Sequence, residues 1–213
     1  MSAPAFAVVG AKAERFAASP MLSLRLRITE SSGVRVDAIA LKVQIQLEVQ
    51  RREYAPSERE LLEELFGKPA RYADTLKPLL WTHVSQMVLA FAGETEVDLH
   101  IPCSYDFEVA AHKYLASLHD GVIPLNLLFS GMMFVEGENG VTPEFVPWNC
   151  EARFGLPVAV WRETVDAFFP NSAWIRVDRD TFDALRTYKI ATGLPTWSAA
   201  LERLCDRALE RKA

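Results

Sequence analysis

The chain has 213 residues, a formal net charge of −5, half of its residues hydrophobic and about a quarter charged. That is one generous domain, or a domain with a substantial appendage, large enough to fold without a metal or disulfide staple. Its basic residues are scattered, which excludes the electrostatic footprint of a nucleic-acid binder and gives an anionic membrane surface nothing to attract.

The N-terminal stretch MSAPAFAVVGAKAERFAASP is alanine-rich, lacks a basic start and is interrupted by Lys12, Glu14 and Arg15, so it does not read as a signal peptide. Phe6, Val8 and their neighbours predict an edge strand. From Leu22 to Ile28 apolar and polar residues alternate strictly, and after the turn at Ser31-Ser32-Gly33 the alternation resumes from Ile39 to Val49. A period of two with one wet face predicts antiparallel strands.

Ser57-Glu58-Arg59-Glu60 has the form of a capping box, in which the Ser57 hydroxyl and the Glu60 carboxylate satisfy each other's backbone amides. Leu61, Leu62, Leu65 and Phe66 supply the apolar stripe, and Gly67 with Pro69 stops a helix inserted between strands. Residues 70–80 read as irregular. Leu80–Phe91 fits both periods, but its β-branched and aromatic content favours a strand with Trp81, His83, Ser85, Met87, Leu89 and Phe91 on one face. Val97–Ile101 alternates again.

Two apolar runs flank Asp120-Gly121 and a third follows the break from Gly137 to Gly140, the pattern of consecutive hairpins, because Asp-Gly supplies the positive φ of a tight turn. Beyond Leu156-Pro157 the period becomes helical, with Trp161, Val165, Phe168 and Phe169 on one face. A second helix is predicted from Arg179 to Thr192, ended by Gly193, and a third after a Thr196 cap. No segment approaches the ~18 apolar residues of a membrane-spanning helix.

Chemistry-bearing patterns are sparse. His83, His100, His112 and His119 lie 17, 12 and 7 residues apart, which matches no helical or knuckle ligand spacing. His100 and Cys103 are three apart on a strand and point to opposite faces. Neither a nucleophile elbow, a phosphate loop nor a dinucleotide fingerprint is present; Gly131 reads as a bulge or a close backbone approach. Cys103, Cys150 and Cys205 have no paired spacing, so reduced thiols in a cytoplasmic compartment fit best, with a Cys103–Cys150 bridge as the alternative. No cofactor and no metal is expected.

Five residues are candidates for partner binding. Tyr105 and Asp106 end a strand, as a core-edge aromatic and a turn former or as a recognition loop. Trp148 is a lid over the core or an exposed anchor. Met132 and Met133 lie in the apolar run 125–135, which is either a central strand buried on both faces or, if left uncovered, a surface suited to varied partners.

The segments FxGxTEVDLHIPCSYDFEVAAHKYL, DGVIPLNLLFSGMMF and VPWNCEARFGLPVAVW together resemble a bacterial family of uncharacterised proteins often encoded beside uptake nickel–iron (NiFe) hydrogenase genes. That resemblance implies an accessory role and a hydrogenase subunit or maturation factor as partner; it assigns no residue a function. The Gly-x-x-Pro-Leu element at Gly121–Leu125 and the polar-alternating strands are also similar to the SecB type of export chaperone.

The expected fold is α+β: an antiparallel immunoglobulin-like β-sandwich of about seven to nine strands. It spans residues 1–155 with one inserted helix near 58–66, and residues 156–213 form a helical tail packed on the sheet. The expected function is a non-catalytic accessory or binding protein assisting assembly or maturation of a redox enzyme. The alternatives are a SecB-like chaperone, or an enzyme or small-ligand protein with a pocket between sheet and tail using Tyr105, Asp106 and His112 or His119.

Overall fold

The computed structural model describes residues 4–103, 109–137, 140–170, 172 and 176–210. They form a mixed α+β structure with two antiparallel sheets. The chain divides into two compact units, residues 1–174 and 175–213.

The smaller sheet has the order β1–β2–β6, from β1 (Ala5–Ala13), β2 (Met21–Thr29) and β6 (Glu94–Pro102). The larger has the order β4–β3–β7–β8, from β4 (Leu79–Val88), β3 (Arg35–Leu47), β7 (Val122–Gly137) and β8 (Gly140–Phe145). The short β5 (Phe91–Ala92) also pairs with β3, and β9 (Glu151–Pro157) with β7. The alternations predicted for β2 and β3 are realised: Leu22, Leu24, Leu26 and Ile28 are buried, as are Ile39, Leu41, Val43, Ile45 and Leu47. They join Leu99 and Ile101 of β6 and Ile123, Leu125, Leu127, Phe129 and Met133 of β7 in one hydrophobic core fed by both sheets. Each such aliphatic side chain, taken fully from water, contributes about 1.5–3 kcal/mol before the entropy of ordering it. Phe6 of β1 stacks on Phe129 of β7 with ring centroids 4.2 Å apart, joining the two sheets on one side.

Leu80–Phe91 is largely strand, but its face is not the one the alternation suggested. Gln46 pairs with Leu80 and Ile45 with Thr82, so Trp81 is the extra residue of a bulge. The bulge flips the side chains that follow: Val84 and Val88 are buried, while His83, Ser85 and Met87 are exposed.

Asp120-Gly121 does not turn a hairpin. The segment before it is a helix, α3 (Ala110–Ala116), and Gly121, at φ 72°, carries the chain from that helix into β7. Ala111, Tyr114, Leu115 and Leu118 form the buried stripe at helical spacing. The second predicted turn holds, since Gly137 pairs with Gly140 where β7 meets β8. The insertion after β3 is also more than one helix. α1 (Pro56–Phe66) is followed by a 3₁₀ turn and the single-turn α2 (Tyr72–Thr75).

α1 starts earlier than the capping-box reading placed it. Glu58, not Glu60, reaches back, and its Oε2 accepts a hydrogen bond from the Ala55 amide at 3.0 Å. Ser57 sits in the first turn, its Oγ 3.4 Å from His119 Nδ1. Tyr114 of α3 meets α1 and the chain leading into it through aromatic edges, its ring centroid 6.3 Å from that of Phe66 and 6.2 Å from that of Tyr54. The buried Tyr54 hydroxyl donates to the Val49 carbonyl at 2.5 Å.

α4 (Val158–Asp166) follows Pro157 as predicted and packs on β1, β2 and β9, burying Trp161 and Val165. The second unit contains α5 (Arg179–Ala191) and α6 (Trp197–Glu210). Gly193 ends α5 at φ 66°, and the Thr196 hydroxyl accepts from the Ala199 amide at 3.1 Å to cap α6. The two helices meet where Phe182 lies 5.2 Å from the Trp197 ring.

Candidate functional site

The outer faces of the two sheets differ in kind. On the smaller sheet, Arg25 and Arg27 of β2 face Asp98 and Glu96 of β6 in register, at 3.1 and 2.8 Å. Lys12 and Glu94 extend this ladder. Its charges are met by their own neighbours, which leaves a solvated and self-neutralised surface.

The larger sheet carries an apolar row instead. Met87 of β4 pairs with Ala40 of β3, Ala40 with Met132 of β7, and Met132 with Phe145 of β8. Residues paired across strands share a face, so these four form one continuous line opposite the buried Ile39 and Met133. Met87 and Phe145, at its ends, are 57% and 76% exposed, while Ala40 and Met132 are half-buried. Ala38, Phe134 and Pro143 form a parallel row, and Leu89 beyond β4 is 78% exposed. On the other flank, Ser85, Lys42 and Ser130 pair in a polar row that bounds the patch. An apolar patch with a polar rim is the usual form of a protein-binding surface.

β7 is where this surface is organised. β3 follows it on one side, while β9 pairs with residues 122–128 and β8 with 132–137 on the other. Between those two partners the chain crosses at 146–150. The Val146 amide donates to the Gly131 carbonyl and the Phe129 amide to the Cys150 carbonyl, both at 3.0 Å. Gly131 has φ 141°, and a Cβ there would lie 2.1 Å from the Ala40 carbonyl oxygen, so the expected close backbone approach is real; the register shift in the β3 pairing falls between Val36 and Ala38, not at Gly131. Trp148 stands on this crossing, 93% exposed.

The predicted partner-binding residues therefore separate. Met132 lies in the outer row, and Trp148 is an exposed side chain on the crossing rather than a lid over the core. Met133, its neighbour on β7, points into the core and has no surface to offer a partner. Tyr105 and Asp106 lie outside the described residues. Met87 and Phe145, which the sequence reading did not single out, complete the row. The signal for Phe145 was its place in a hairpin opposite Met132; that for Met87 was hidden by the Trp81 bulge.

Among the described residues no group of three or more His, Cys, Asp or Glu side chains is arranged to hold a metal ion. His112 is buried on α3, and His83, His100 and His119 are exposed. Burial pushes the Cys103 thiol up to about 12, against a hydrogen bond from the Leu22 backbone that opposes the shift. Cys150 is raised by burial as well. Cys103, Cys150 and Cys205 are free thiols. No described helix is long and apolar enough to cross a membrane.

No curated protein and no solved structure matches the chain. A family model does match, over residues 1–213, and the chain accordingly belongs to a family of unknown function, DUF6084.

Proposed function

We propose that the protein is a non-catalytic, cytoplasmic accessory protein that binds a protein partner through the outer face of the larger sheet, in the assembly or maturation of a redox enzyme such as a NiFe hydrogenase. The observation that carries the binding role is the apolar row Met87–Ala40–Met132–Phe145, uncovered at both ends and bounded by polar side chains. A row of this kind gains from every apolar atom removed from water, with the flanking polar side chains left at the rim. The choice of a redox enzyme as client rests on the sequence resemblance given above. In the same reading the two sheets form an immunoglobulin-like sandwich, which their shared core supports.

The test is affinity capture of the full chain from its native cells, with captured proteins identified by mass spectrometry, beside the variant Phe145→Glu. The expected result is a hydrogenase subunit or maturation factor held by the wild type and lost from a folded variant. Retention by the variant would remove the surface from the proposal. Capture of no redox-enzyme component would remove the client.

A further inference from the structure

We infer that β4 is a self-pairing edge, through which two copies of the chain join their larger sheets about a two-fold axis. Among the described residues β4 pairs only with β3, so no strand occupies its other edge, although the Met87 carbonyl accepts from the Gln86 side-chain amide at 2.9 Å. Natural edge strands are usually blunted by charge, proline or a bulge. The other outer strands comply: β1 carries Lys12 and a bulge at Val9, β6 has Glu94, Glu96, Asp98 and a terminal proline, and β8 has Pro143 and Glu144.

β4 contains neither a proline nor an Asp, Glu, Lys or Arg. Its bulge lies at Trp81, near its start, and leaves Thr82–Val88 in unbroken register with β3. Antiparallel pairing of that stretch with its own copy sets Ser85 opposite Ser85, His83 opposite Met87, Thr82 opposite Val88 and Val84 opposite Gln86. No pair places two formal charges of one sign together, whereas self-pairing of β6 would set acidic side chains against each other. A cleft of about 430 Å³ opens at the Gln86–Met87 end of this stretch, its other wall formed by Thr95, Glu96, Val97, Asp98 and His100 of β6. Two-fold pairing is isologous, so one edge supplies both halves of the interface and the assembly closes at two copies. This inference stands apart from the accessory role.

The test uses the full chain and three proteins: wild type, Ser85→Lys and Ser85→Glu. Ser85 is exposed and central in the paired stretch, so each charged variant sets like charges together at the axis while facing solvent in a single chain. Analytical ultracentrifugation over a dilution series reaching about 500 µM, where mass action reveals even weak association, should give a wild-type dimer and two monomeric variants. An equimolar mixture of the variants should recover the dimer, as a heterodimer. Circular dichroism melts check that each variant is folded, and recovery by mixing cannot come from misfolded chains. A wild type that stays monomeric overturns the inference. So does a dimer indifferent to both charges, and so does a mixture that fails to reassociate.

Discussion

The carboxylate of Glu58 and the guanidinium of Arg52 meet at 2.7 Å, with side chains only 1% and 8% exposed. Arg52 also donates to the carbonyls of Asp120 and Val122, at 2.8 and 2.7 Å. The second Glu58 oxygen holds the start of α1, and the first also accepts from the His119 amide at 2.8 Å. One ion pair thus ties the inserted helix to the entry of the central strand. Its removal has a predictable cost. Glu58→Ala, which strands a buried guanidinium, is expected to destabilise the protein by about 3–5 kcal/mol. Urea unfolding followed by circular dichroism measures it, and a shift smaller than 1 kcal/mol, about a surface effect, would show that the pair is dispensable.

The same carboxylate predicts a pH dependence. Burial alone would raise its pKa, but the amides of His119 and Ala55 and the Arg52 guanidinium outweigh that and hold it below the ordinary glutamate value. A group that ionises more readily when folded contributes fully above its unfolded pKa, about 4.3 for glutamate, and loses that contribution as pH falls through the lower folded value. Unfolding midpoints should therefore drop on acidification below that range, and Glu58→Gln should flatten this part of the profile. A variant as acid-sensitive as the wild type would assign the effect to other depressed carboxylates, such as Asp98 beside Arg25.

Gly131 is expected to tolerate no side chain. At φ 141° with the Ala40 carbonyl in the way, Gly131→Ala meets main chain rather than a flexible side chain, so the strain cannot be relieved locally. A loss of about 3 kcal/mol is expected from the strained conformation and the displaced pairing. Gly33→Ala is the control, a positive-φ glycine with open space around it, and should cost visibly less in thermal melts.

Trp161 and Trp148 should behave in opposite ways. Trp161, on the inner face of α4, is buried and Trp148 is almost wholly exposed. Trp161→Ala should cost about 3–5 kcal/mol, while Trp148→Ala should stay within about 0.5 kcal/mol. Equal costs in urea unfolding would contradict the placement of one of them.

The three thiols should also separate. Cys205 is exposed, while Cys103 and Cys150 are buried with raised pKa values. A chromogenic disulfide reagent at mildly alkaline pH should label one thiol rapidly in the native protein and all three in denaturant. Rapid native labelling of two or more would show that the core opens.

How much of this was readable beforehand depended on whether one period governed each segment. In β2 and β3 strict alternation persists, so strands and inward faces followed directly. In β4 one extra residue at Trp81 reversed the faces, and a bulge leaves no mark in hydrophobicity alone. α3 was legible in principle: Ala111, Tyr114, Leu115 and Leu118 keep helical spacing, but the Asp-Gly turn signal beside them drew the segment into a hairpin. That dipeptide does supply the positive φ, and Gly121 is further confined because a Cβ would lie 3.2 Å from Arg52 Nη1, a partner 69 residues away in the chain. On β7 the period of two already set Met132 and Met133 on opposite faces. What no local pattern carried was the alignment of Met132 with Met87 and Phe145, since a row across strands exists only once their registers are set.

The crossing at 146–150 is stapled to β7 at both ends, through Val146 to Gly131 and Cys150 to Phe129. Trp148 is thus displayed on a short span whose termini are already immobilised, the opposite of an indole on a free loop. The entropy of ordering that backbone is spent during folding rather than on contact. Whatever meets this indole meets it on an ordered backbone, and truncating it should shorten the lifetime of a complex more than it slows the encounter.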